Sequence, residues 1–267
     1  MKRVVPALAA AVVAAVLVPA SASAAEIQVG VSTTPLVSPT CPANAQGNAC
    51  TIILAQVTAY ETLRDGIANP VRIKKSGVIS SFTLGLTGTN LITPAVIAAK
   101  DQQYGGPPEA QLTALRPTGT PANPSYRVAA QSAVVKLRPQ LGKVAEFPLV
   151  TPLPVVRGEI LALTIPTWAP VLSIEQKTTK FAYAQSRSKS MVSIKTKTGS
   201  QRVSSCNTNA TANLAQIVVG QLSTYGCNYA GTRMEYSALE ITTPAGFTSN
   251  TRRHLTAARR AALRRWR

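Results

Sequence analysis

The sequence predicts an all-β protein: an antiparallel β-sandwich of the jelly-roll kind, with a cleaved N-terminal signal helix before it and a short basic C-terminal helix after it. Three observations predict this. Short apolar, β-branched runs recur with Gly, Pro and Asn between them, enough for about ten to twelve strands. Within Gly77–Leu86, Val78, Phe82, Leu84 and Leu86 share one parity, broken by Ser80, while Ser81, Thr83 and Gly85 share the other. Such alternation marks a half-buried strand. No long amphipathic helix occurs before residue 250, and no βαβ rhythm or internal repeat appears.

Taken in order, the chain opens on a processing signal. Lys2 and Arg3 form a charged region, Val4 to Val18 a short apolar run, and Ala22-Ser23-Ala24 a small-residue cleavage site. The run is about 15 residues where a spanning helix needs about 20, so residues 1–24 read as a signal peptide rather than an anchor. Glu26 to Thr33 is a first strand. Thr34 to Ala49 is a loop rich in Pro, Asn and Gly, and Thr51 to Tyr60 alternates as a strand. Arg64-Asp65-Gly66 is a turn. Asn90 to Ala99 reads as either a short helix or an irregular strand. Ala110 to Leu115 is a strand ended by Pro117. Tyr126 to Leu137 is a long strand whose parity slips near Ala133, the mark of a bulge. Val144 to Val150 follows as a further strand.

The stretch LPVVRGEILALTIPTWAPVLSI, Leu153 to Ile174, is the apolar centre of the sequence. Arg157-Gly158 breaks it with a turn. Pro cannot donate to a central ladder, so Pro166 and Pro170 are expected at strand ends or on an edge. Phe181 to Tyr183, Ser190 to Lys197 and Arg233 to Thr242 read as strands, and Leu214 to Leu222 reads better as strand than as helix. The expected organisation is a signal peptide (1–24), a sandwich domain (25–249, with a two-lobed variant dividing near 175) and a basic tail (250–267).

The net charge is +18. Without Lys2 and Arg3, 26 basic residues face 10 acidic ones. Seven arginines lie in the tail NTRRHLTAARRAALRRWR, leaving a moderately basic body. On a helical wheel Leu255, Ala258, Ala262 and Trp266 fall together, with Arg253, Arg260, Arg264 and Arg267 opposite and Arg252, Arg259 and Arg265 on the flanks. A basic amphipathic helix with a Trp suits an anionic membrane surface or envelope polymer. Its plainer reading is a solvated terminus. Nucleic acid would attract the same charge, but export sets that partner aside.

Four cysteines in an exported chain favour disulfides. Three connectivities exist; Cys41–Cys50 with Cys206–Cys227 closes two short loops and is preferred, each bridge contributing roughly 2–4 kcal/mol. Zinc is a poor alternative, because there is no C-x-x-C pair and the single His, His254, lies in the tail.

Chemistry is thinly supplied. Ser-His-Asp and Cys-His catalysis need an imidazole that the body lacks. A glycoside hydrolase needs two carboxyls within about 5–10 Å. Glu146 with Glu159, or Glu175 with Glu235 and Glu240, would be the pairs; surface acids matched to Lys and Arg is the plainer reading. Glu159, beside a turn glycine, reads as the anchor of a turn or an ion pair. No phosphate loop, dinucleotide fingerprint or calcium loop is present, and no metal or cofactor is expected. Sugar binding would need exposed rings. The candidates are Trp168 between two prolines, Tyr104 beside Gly105-Gly106, and Tyr225 and Tyr229 around Cys227, each with a packing role as its plainer reading.

The order NPVRIKKSGVISSF (Asn69 to Phe82), YGGPPEAQLTALRP (Tyr104 to Pro117) and LPVVRGEILAL (Leu153 to Leu163) resembles a group of exported β-sandwich proteins of high-GC Gram-positive bacteria. The resemblance spans residues 69–163. It implies a jelly-roll-like fold and carries over no catalytic residues. The functional expectation is therefore a non-catalytic exported envelope or extracellular protein, held on anionic surfaces by its basic tail. A carbohydrate-binding module is the alternative, and a carboxylate glycoside hydrolase comes third.

Overall fold

The apolar runs become antiparallel strands. The computed structural model describes residues 24–41, 52–196, 199–206 and 213–243, and Ala24–Thr243 forms one compact unit. A four-stranded sheet runs in the order β1 (Glu26–Val29), β17 (Tyr236–Thr242), β4 (Gly77–Gly85), β8 (Val144–Val155). A larger sheet runs β14 (Leu222–Thr224), β6 (Ser125–Gln131), β5 (Glu109–Pro117), β9 (Ile160–Ala169), β2 (Leu54–Arg64), β11 (Ala182–Gln185), β15 (Cys227–Ala230). The short strands β3 (Ile67–Ala68) and β7 (Val135–Lys136) pair with β2 and β5. Two further pairs are β10 (Leu172–Ser173) with β16 (Arg233–Met234), and the hairpin β12 (Ser190–Thr196) with β13 (Gly199–Ser205).

Burial explains the order. Ile160 to Ile165 are all buried, as are Ala110 to Leu115, so β9 and β5 are covered on both faces and sit centrally in the large sheet. β8 carries Pro148, Pro152 and Pro154, which remove ladder donors, and it takes an edge. One core gathers Phe82 and Leu84 of β4 and Tyr236 of β17 with Leu112, Leu163 and Val57 of the large sheet. Each such side chain contributes about 1.5–3 kcal/mol on burial.

Several sequence expectations change. The segment left open between helix and strand is the α-helix α1 (Pro94–Tyr104): Thr93 caps its first turn by accepting from Val96 N, Pro94 stands at its start, and Gly105 ends it at φ 78°. Pro166 lies inside β9 rather than at an end. It is tolerated because β5 pairs only as far as Thr164, and the β2–β9 register shifts between Ala55 and Val57, where Gln56 takes φ 50°. Pro170 follows directly on β9, as expected. The parity slip of 126–137 is the end of one strand and the start of another, β6 and β7, while the bulge itself falls at Ala114/Leu115 against Val128 and Ala130. Residues 214–222 are not a strand; Leu214 makes one isolated bridge to Val57, and only Leu222 enters β14. Arg233 to Thr242 divides at Glu235 into β16 and β17, which join different sheets. Glu175 (φ 56°) stands at a bend inside the compact unit Ala24–Thr243.

Candidate functional site

The strand pair β11–β15 builds the site. Its register sets Tyr183 opposite Tyr229 and Gln185 opposite Cys227. Directly opposed side chains meet on one face, and the two rings stack with centroids 4.9 Å apart and planes 17° apart. Gln185 Nε2 donates to the Tyr229 hydroxyl at 2.6 Å. The Cys206–Cys227 disulfide, Cα–Cα 5.6 Å, anchors β15 at the edge of the large sheet. A groove of ≈ 510 Å³ opens here. Tyr183, Gln185, Arg187 and Tyr229 line it together with Leu54 and Ala55 of β2 and Tyr104 at the end of α1. The Tyr104 carbonyl accepts from Gln56 Nε2 at 3.4 Å, and the Lys100 ammonium lies 5.5 Å from the Tyr104 ring centroid.

Burial raises the pKa of the Tyr183 and Tyr229 hydroxyls, so both remain neutral donors at physiological pH; Arg187 opposes the rise at each. Arg187 is half-buried and forms no ion pair with any described acid. Tyr183 and Gln185 are buried, 6% and 7% exposed. The groove thus offers the half-buried rings of Tyr104 and Tyr229, the Tyr229 hydroxyl and the uncompensated, half-buried Arg187 guanidinium, with Tyr183 and Gln185 backing Tyr229 from beneath. That set can hold a polar ligand with apolar faces and an acidic group.

The four aromatic candidates divide. Tyr104 and Tyr229 meet at this groove. Trp168 does not face a ligand: it is 0% exposed, packs with Ile52 and Ile92, and donates from Nε1 to Asp101 Oδ1 at 3.0 Å. Tyr225 is buried between Tyr60 and Tyr126, its hydroxyl bonded to Gln216 Oε1 at 2.5 Å. Tyr183, Gln185 and Arg187 were not candidates. Their alternation along FAYAQSR was a signal, but only the register with β15 gives it meaning.

Of the candidate carboxylates, the first pair is not brought together. Glu146 and Glu159 are not on neighbouring strands: Glu146 belongs to β8 in the small sheet, and Glu159 precedes β9 in the large one. Glu146 accepts from Ser81 Oγ. Glu159 anchors a turn through Val156 N at 2.9 Å and also pairs with Arg116 at 2.9 Å. Glu235 is buried and held by Ser173 Oγ at 2.6 Å, Val37 N and Arg233. Buried Glu61 pairs with buried Arg64, and burial pushes the Glu61 carboxyl up to about 7.

Among the described residues no group of three or more His, Cys, Asp or Glu is arranged to hold a metal, and no helix is long and apolar enough to cross a membrane. No described cysteine is free. Cys50, residues 1–23 and the tail with Arg252, Arg253, Arg259, Arg260, Arg264, Arg265 and Arg267 lie outside the described residues, and with them the expected signal peptide. No protein-family model, curated protein or solved structure matches the chain.

Proposed function

We propose that this is a non-catalytic exported binding protein of the cell envelope, a jelly-roll-like β-sandwich whose tyrosine-lined groove takes a segment of an acidic surface glycan. The observation that carries the reading is the convergence of Tyr104, the stacked Tyr183–Tyr229 pair and Arg187 on one groove. Sugar rings present apolar faces that pack on the half-buried rings of Tyr104 and Tyr229 and hydroxyls that bond to the Tyr229 phenol. Arg187 supplies a fork for a carboxylate or phosphate on the polymer. The engagement of Glu61, Glu159 and Glu235 with arginines speaks for structural rather than catalytic carboxylates. The tail arginines add sequence-independent attraction, about 1 kcal/mol per residue near an anionic bilayer.

The test is a screen of envelope polymers and glycans against the exported protein, with and without residues 251–267. Both forms are expected to bind the same acidic glycan, and deletion is expected to release protein from cells at low salt only. Retention on cells unchanged by the deletion contradicts the role of the tail. Absence of any glycan ligand for both forms contradicts the role of the groove.

A further inference from the structure

A second groove, of ≈ 450 Å³, opens beside the N-terminal strand. Its walls include Ile27 of β1, Val31 just beyond it, and Ile67 of β3. Val31 and Ile67 are 59% and 64% exposed. Two carboxylates line it, those of Asp65 and Glu240. Asp65 Oδ2 already accepts from Ser32 Oγ and Thr33 N, which leaves Glu240. Tyr236, Ala238 and Glu240 share a parity on β17, and Tyr236 and Ala238 belong to the core. Glu240 therefore stands where the inward face of the strand calls for an apolar side chain. It is 1% exposed, and its Oε1 has no hydrogen-bond partner. No described cation forms an ion pair with it, although the charge of Lys75 acts on it. A buried carboxylate oxygen without a donor is among the costliest groups a fold can carry. The exposed rim residues Arg72 and Lys74 line the same groove. They oppose entry of a bare cation and attract an acid.

We propose that this groove binds a zwitterionic amino acid or short peptide: an ammonium donates to Glu240 Oε1, its apolar stem lies against Ile27, Val31 and Ile67, and its carboxylate meets Arg72 and Lys74. Each part of the ligand answers a feature of the groove. The buried oxygen requires a donor, the walls require a hydrocarbon stem, and the basic rim requires an accompanying acid. The assignment is independent of the glycan reading.

The test is calorimetric titration of the purified full chain with 6-aminohexanoate, beside hexylamine and hexanoate. The zwitterion is expected to bind at millimolar concentration or below, with each half-ligand about tenfold or more weaker. Glu240→Gln is expected to weaken 6-aminohexanoate about tenfold or more at an unchanged or raised melting temperature. Arg72→Ala, at an exposed residue, is expected to weaken it severalfold, and it carries the test should the Glu240 variant fail to fold. No binding by the parent chain, undiminished binding by either folded variant, or hexylamine or hexanoate binding as well as the zwitterion would overturn the proposal.

Discussion

Arg64 is sealed from solvent, with its guanidinium against Glu61 and donating to the carbonyls of Gly30, Met234 (3.0 Å) and Tyr236 (2.7 Å). It ties β2 to the N-terminal segment and to β16–β17. Arg233 extends the tie to the carbonyls of Thr34 and Pro35. Arg64→Met strands the Glu61 charge and is expected to cost about 3–5 kcal/mol in denaturant unfolding. Combining it with Glu61→Leu is expected to recover part of that loss: no buried charge is then left without a partner, but the carbonyls of Gly30, Met234 and Tyr236 still lose their donor. Burial raises the pKa of Glu61, Glu235 and Glu240 together. The unfolded chain releases those protons first, so these groups contribute stability below the usual carboxylate pKa that is lost as pH rises through the folded values. The melting temperature is expected to rise as pH falls from about 7 toward 5; a fall over that window would contradict the assignment. The sequence showed Arg64-Asp65-Gly66 as a turn, and Asp65 and Gly66 do turn, at φ 52° and 81°. The carbonyls that Arg64 binds lie 34 to 172 positions away, beyond the reach of local pattern.

At the scale of elements, alternation was the legible signal. Gly77–Gly85 and Glu109–Pro117 fall within a residue or two of their sequence bounds because one or both faces are buried. Misreadings gather where partners decide. Pro166 is held at a register shift that only β2 creates. The apolar residues Ile217, Val218 and Val219 suggest a strand but are 54–61% exposed, since Gln216 and Gln221 fasten that segment as a loop. The disulfide between Cys206 and Cys227, at a sequence separation of 21, was legible from the spacing. Replacing both cysteines by Ala is expected to cost about 2–4 kcal/mol in unfolding. It is also expected to weaken groove binding, because Cys227 belongs to the strand that presents Tyr229. Full affinity in the disulfide-free variant would separate the bridge from the site.

For the molecule as a whole, the all-β class was legible and the site only half so. Tyr104 beside Gly105-Gly106 and Tyr229 beside Cys227 were among the candidate aromatics, and both line one groove. Trp168 and Tyr225 looked equivalent in sequence yet are buried, because tertiary packing, not local composition, decides which face of a strand meets water. Arg187 was invisible as a site residue until β11 and β15 were aligned. The most direct measurement is the dissociation constant for an acidic envelope glycan of the parent chain, Arg187→Ala and Tyr229→Ala, with melting temperatures recorded in parallel. Each variant is expected to bind about tenfold more weakly while remaining folded, and Arg187→Ala to lose its preference for acidic over neutral glycan. Equal affinity across all three folded proteins would contradict the assignment of the groove.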